Sequence, residues 1–313
     1  MRRSLALGLA AAVWVGAACY EPPPEEPPPP MWYWHNGPTA SDLHDLASTA
    51  RNDVWAVGID DSGRGTVLRF RAFQWDIIAL PSAENIGPLY AVAADEASGD
   101  VWAAGGGQYF LYWNGSQWQT WPHPARGKVV YGLDLVDNLN GWAVGEGGLL
   151  LQLDGGAWAE VASPTAETLR RVHVLSATSA WAVGDRGTVL RYDGSGWREA
   201  TFLPTIDLRD LYFFGDDDGW VVGAVASLYH WDGSTFTKFP SPDVNINYQC
   251  CTFIGPNAGF AGGDKVRVVK YVDGTWKIQQ DTPSGLWELY AMHMVSDTEG
   301  WAVGNNGAFL WYR

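Results

Sequence analysis

The sequence predicts an all-β fold, a seven-bladed β-propeller of four-stranded blades closed by an N-terminal strand that completes the last blade. Three observations lead there. A Trp-Ala-Val-Gly-like motif recurs seven times at a period near forty residues, and each period holds short apolar runs separated by turn residues. The seventh period lacks its final run, and a matching run stands near the N-terminus. A forty-residue period of short strands is the mark of a propeller or a related array.

The motif falls at Trp55, Trp102, Trp142, Trp181, Trp220, Phe260 and Trp301, at separations of 47, 40, 39, 39, 40 and 41 residues. In the fourth period LRRVHVL reads as the first strand, AWAVG as the second, TVLRY as the third and GWREATF as the fourth, from their apolar patterning and the turns between them. Four strands per forty residues make one propeller blade. Asn-Gly or Asp-Gly pairs beginning at Asn114, Asp154, Asp193, Asp232 and Asp273 supply left-handed backbone cheaply between strands three and four.

The last period stops at Arg313 after its third strand. Near the other end, Trp32 precedes Pro38 by six residues and Pro38 precedes Trp55 by seventeen, the same spacings as Trp158, Pro164 and Trp181. Residues 31–37 are therefore expected to be a displaced fourth strand, and residues 31–313 a single domain. Closing the ring removes the edges that an open sheet would expose to aggregation.

Ahead of the domain, MRRSLALGLAAAVWVGAAC carries two arginines, an apolar run from Leu5 to Ala18 and small residues before a cysteine. The run is too short to span a bilayer comfortably and has the layout of a signal peptide over residues 1–18. VGAAC resembles the lipobox of bacterial lipoproteins. That resemblance implies lipidation of Cys19, although Gly16 stands where the family usually has Leu; ordinary cleavage after Ala18 is the alternative. Residues 19–30 follow as a tether, with only Pro and Glu from 22 to 30. A polyproline II run of that length reaches roughly 30 Å. The expected address is the bacterial envelope, at the outer membrane or cell surface, with membrane contact only through the anchor.

Hydrophobic residues make up 47% of the chain, with 37 Gly and 18 Pro, a composition of strands and turns. The formal net charge is −15; losing Arg2 and Arg3 with the signal makes it −17. Such a chain, with five lysines, is repelled by nucleic acid and by anionic lipid.

The recurring Trp-Ala-Val-Gly, apolar strand, Asp-Gly-Ser and Trp resembles the photosystem II assembly-factor propellers and the wider Asp-box repeat propellers, over nearly all of residues 31–313. The resemblance implies the propeller fold. For function it implies roles from assembly scaffold to sialidase, among which a fold does not choose. The fuller Asp-box signature has Ser or Thr two residues before the Asp, where Arg191 and His230 stand here. The closer resemblance is to the non-enzymatic branch.

Of the 19 tryptophans, six fill the second-strand position and six the fourth-strand position, where packing between blades accounts for them at about 1.5–3 kcal/mol each. Trp34, Trp121 and Trp287 stand outside the register and are the candidates for stacking on a sugar. The acidic run Asp216, Asp217, Asp218 occupies a hairpin-turn position and lacks the EF-hand layout. The six histidines show no ligand spacing, and neither Cys-x-x-Cys nor Gly-x-Ser-x-Gly occurs. No metal, cofactor or catalytic residue is expected. Cys250 and Cys251 are read either as a vicinal disulfide or as two small strand residues, one of them buried.

In a propeller the first strand of each blade lines the central channel, beginning near the face that carries the loops between strands two and three. The two variable positions at its start read His44-Asp45, Tyr90-Ala91, Tyr131-Gly132, Arg170-Arg171, Arg209-Asp210, Gln249-Cys250 and Tyr290-Ala291. The candidate binding residues are His44, Asp45, Tyr90, Tyr131, Arg170, Arg171, Arg209, Asp210 and Tyr290. Either they form a cationic, aromatic mouth for an acidic or polar partner, or Asp45 and Asp210 neutralise the arginines as a salt-bridge plug. The expected function is that of a monomeric, non-catalytic scaffold for an envelope or surface protein. Glycan binding is the second expectation. A sialidase-like glycoside hydrolase, with fragments of a site in Arg170, Arg171, Arg209, Tyr131 and Glu288, is the third.

Overall fold

The computed structural model describes residues 30–81, 86–200, 204–280 and 287–313. The signal peptide, Cys19 and all of the tether but Pro30 lie outside the described residues. Seven four-stranded antiparallel sheets make up the domain. In blade 4 the strands are Leu169–Ser176, Ser179–Gly184, Val189–Tyr192 and Trp197–Glu199; the first three are close to those expected, and the fourth is shorter than GWREATF, whose Thr201 and Phe202 lie outside the described residues.

The repeat motif is an instruction for stacking blades. Successive residues of a strand face opposite sides of its sheet. Trp181 and Val183 accordingly pack towards Leu208, Leu211 and Phe213 of blade 5, while Ala180 and Ala182 pack towards Trp142 and Val144 of blade 3. Each blade thus presents a large side chain to the next blade and a flat, small surface to the previous one. The indole of Trp181 stacks on Phe213 with ring centroids 4.4 Å apart. The glycine that ends the motif is required by close approach: a Cβ on Gly184 would collide with the carbonyl oxygen of Thr168, where the first strand begins.

At the turn between strands three and four, the Asp193 carboxylate accepts hydrogen bonds from the Ser195 amide at 3.0 Å and hydroxyl at 2.6 Å. Gly194 supplies the positive φ there; of the five Asn or Asp residues at these turns, only Asp273 is itself left-handed.

Closure of the ring is as expected, though the pairing strand is shorter than residues 31–37. Trp32–Trp34 pairs antiparallel with Phe309–Tyr312, Trp32 opposite Tyr312 and Trp34 opposite Leu310. Trp32 is 1% exposed and packs edge-on against Phe260 and at a tilt on Tyr312.

Every first strand carries a register shift against its second strand, as between Leu43 and Asp45 or Leu169 and Arg171. A bulge turns two consecutive side chains towards the same side of a strand. Both residues of the Arg170-Arg171 and Arg209-Asp210 pairs accordingly line the channel mouth, whereas Ala91, Cys250 and Ala291 pack between blades. Past the bulge, alternation resumes. Cys250 packs with Phe260, Leu289 and Met292, whereas Cys251 packs with Trp220, Tyr248 and Phe253. The vicinal disulfide is corrected accordingly: both cysteines are free and buried, in different inter-blade clusters.

Candidate functional site

The starts of the seven first strands surround a cavity of about 140 Å³ at one end of the channel. Eight of the nine sequence candidates line it, together with Gln249. Asp45, the ninth, lies fully buried beneath. Gln249 belongs to a variable pair but was not among the candidates.

One wall is aromatic. Tyr290 stacks on His44 at 5.0 Å with 10° between planes, His44 meets Tyr90 at 4.9 Å, and Tyr90 meets Tyr131 at 5.4 Å. The guanidinium of Arg170 ends the arc, 4.7 Å over the Tyr131 ring. Burial lowers the His44 pKa against the pull of Asp42 and Asp45, which leaves the imidazole neutral at pH 7. Burial first, then the charges of Glu288 and Asp42, push the Tyr290 phenol up to about 12.

The other wall is guanidinium, and every member is paired. Arg170 binds Asp185 through Nε and Nη2, at 2.8 and 2.7 Å. Arg209 lies 3.1 Å from Asp207 and 3.8 Å from Asp185. Arg171, one layer deeper, crosses the channel to Asp45 at 2.7 Å and Asp210 at 3.2 Å. Gly132, at the equivalent position of blade 3, lets the first strands of blades 3 and 4 approach closely: a Cβ there would stand 2.8 Å from the Cα of Arg171. Burial opposes the Arg171 charge, but Asp45 and Asp210 outweigh it and raise the pKa. Burial raises the Asp210 pKa despite Arg171.

The plug carboxylates also tie neighbouring blades together. Asp45 accepts the Val92 amide at 2.9 Å, and Asp210 the Cys251 amide at 2.8 Å. Asp134, two positions beyond the variable pair, accepts the Val174 amide at 2.7 Å and lies 3.5 Å from His173. Below the plug a second cavity of about 290 Å³ opens, where Ser48 of blade 1 and His293 of blade 7 meet at 2.8 Å across the closing seam.

The structure thus forms the salt-bridge plug rather than a free cationic mouth. Sequence reasoning missed the roles of Asp185 and Asp207. A signal did exist for the first: an acid or Asn directly follows the motif in several blades. Asp264 and Asn305 there accept the amides of Asn247 and Glu288, which begin or precede a first strand. In blade 4 the same position turns to Arg170.

The twelve tryptophans of the second- and fourth-strand registers are all buried. Trp34, Trp121 and Trp287 are 45%, 38% and 39% exposed, and Trp34 meets Trp287 edge to face at 5.4 Å. The acids of the 216–218 run diverge: Asp216 binds Ser179 and Arg191, and Asp218 binds His230.

No protein-family model and no curated protein sequence matches the chain. Solved structures do. A structure of YCF48 bound to D1 peptide superposes with a TM-score of 0.74 at 17% identity, over 90% of this chain and 96% of that one. YCF48 from Cyanidioschyzon merolae gives 0.73 at 16%, over 90% and 99%. The WD40 β-propeller domain of Doa1 gives 0.75 at 12%, over 90% and 97%. At such identities the similarity is one of fold, and the fold is the seven-bladed propeller.

Proposed function

We propose that this chain is a non-catalytic scaffold: an exported propeller, held to the bacterial envelope by lipidated Cys19 and its Pro/Glu tether, that binds another envelope or surface protein at the channel mouth. One observation carries the reading. The least uniform positions of an otherwise repetitive sequence converge on a single cavity, and their side chains are already fixed by stacking and ion pairs. Groups held in place before binding lose little freedom on association. The fold is shared with a YCF48 chain that was solved with a D1 peptide, which supports a peptide-sized partner. A sialidase-like site would need guanidiniums free for a substrate carboxylate, and the pairing of all three speaks against it.

Affinity capture from the protein's own envelope tests the reading. A Tyr90→Ala/Arg209→Ala variant should lose a partner that the wild type retains. Equal capture by a folded variant would move the surface away from the mouth. For the anchor, Cys19→Ala should leave the membrane fraction; unchanged partitioning would defeat the lipoprotein reading.

Glycan binding is the second reading, favoured by the exposed Trp34–Trp287 pair. A glycan array probed with the wild type and with Trp34→Ala separates the two.

A further inference from the structure

We infer that the mouth takes a positively charged side chain, a lysine or arginine of a partner protein, rather than an acidic one. This rests on the mouth being the binding surface and adds the sign of the charge it recognises.

The arginines that give the sequence its cationic look are spent within the fold. Arg170, Arg171 and Arg209 meet four carboxylates, those of Asp45, Asp185, Asp207 and Asp210. An incoming carboxylate would have to displace the two-pronged Arg170–Asp185 pair or approach Arg171 past Asp210. Either route leaves a carboxylate without its partner, which is costly in a partly buried site.

The opposite wall has the complementary chemistry. Tyr290, His44, Tyr90 and Tyr131 form a continuous arc of rings. Ring faces attract cations through their quadrupoles. The arc already demonstrates this at one end, where Arg170 lies over Tyr131. At the other end Asp42 and Glu288 act on Tyr290 with negative charge. The cavity, about 140 Å³, has the size for one extended side chain rather than a folded element. The net charge of −15 steers basic partners towards the molecule as a whole.

Fluorescence polarisation of labelled tetralysine and tetraglutamate against the full chain, in about 0.15 M salt to suppress unspecific attraction, tests the inference. Tetralysine should bind at least about tenfold more tightly than tetraglutamate. His44→Ala and Tyr90→Ala should each weaken it about three- to tenfold. The melting temperature checks that each variant folds, and Glu288→Gln, which spares the rings, should weaken tetralysine if an aromatic variant unfolds. Tighter binding of tetraglutamate, lost in the same variants, would overturn the sign of charge and keep the mouth as the binding surface. Tetralysine binding unaffected by all three substitutions would overturn both. Failure of both peptides to bind would overturn the charge inference, and partner capture with the Tyr90→Ala/Arg209→Ala variant then decides on the mouth separately.

Discussion

The guanidinium of Arg171 in blade 4 lies 2.7 Å from the carboxylate of Asp45 in blade 1, so an ion pair crosses the channel between blades that share no edge. Asp210 of blade 5 closes the cluster at 3.2 Å. Removing the cation would leave two buried carboxylates facing each other. Arg171→Met should therefore cost about 3–5 kcal/mol, read by urea denaturation. Adding Asp45→Asn and Asp210→Asn should recover only part of it: the buried charges are gone, but each amide oxygen can accept only one of the two backbone amides that the carboxylate held. Loss of less than about 1 kcal/mol in the single variant would show that the pair is not a structural tie.

The single variant should also respond to pH in a defined direction. A carboxyl whose pKa is higher in the folded state than its unfolded value of 3.8, as burial already makes Asp210, gains stability as pH falls through the folded value. Arg171→Met should thus regain stability relative to the wild type on acidification from neutral pH towards about 4.

Ring closure predicts an asymmetry between neighbours in the N-terminal strand. Trp32 is buried against Phe260 and Tyr312, and Trp32→Ala should cost about 3–5 kcal/mol. Tyr33 points outward, partly covered by Arg313, and Tyr33→Ala should stay within roughly 0.5 kcal/mol. Equal, small effects on thermal unfolding would mean that the strand does not close the ring.

His293 gives the wild type an acid limb. Burial lowers its pKa to about 4, with Arg171 adding to the effect and Asp45 opposing it. The folded state keeps the ring neutral while the unfolded chain takes up a proton below about 6.5. Its contribution is complete above that pH and is lost as pH falls from about 6.5 to about 4. The loss is at most about 3 kcal/mol, less to the extent that water in the lower cavity solvates the ring. His35, His44 and His123 are lowered by burial too and act in the same direction. His293→Gln should flatten this limb in a stability–pH profile; an unchanged slope would assign it to the other histidines.

The two cysteines offer a chemical check. Burial pushes both thiols well above their ordinary range, so neither is a ready thiolate. Iodoacetamide should leave them unmodified in the folded protein and label both after denaturation without reductant. A peptide two hydrogens lighter, resistant to label, would mean a bridge.

The period, the four strands of each blade and the displaced closing strand were legible because each is a spacing, and spacing survives in one dimension. The location of the mouth was legible for the same reason, as the variable pair starts eleven residues before the motif Trp or Phe in six blades and twelve in the second. What was not legible is who pairs with whom. Asp185 is fifteen residues from Arg170 and is brought to it by the pairing of the first two strands of blade 4, while Asp45 is in another blade from Arg171 and only the curvature of the ring brings those two together. Asp134 escaped notice because it stands two positions past the variable pair, where other blades carry Ala47, Ala93 or Tyr212. The two cysteines show the reverse: they are neighbours in sequence, and the strand separates them.

The direction of the closing strand also sets a polarity for the whole particle. Phe309, where the last third strand starts, follows the Asn305–Gly307 turn, and the Asn306 amide binds Asp42 on the mouth side. Trp32 pairs with Tyr312 at the far end of that strand. The chain therefore enters the domain through the face opposite the mouth. Whatever attaches to the chain ahead of Trp32 thus attaches on the side away from the mouth, and a partner at the mouth need not compete with it for space.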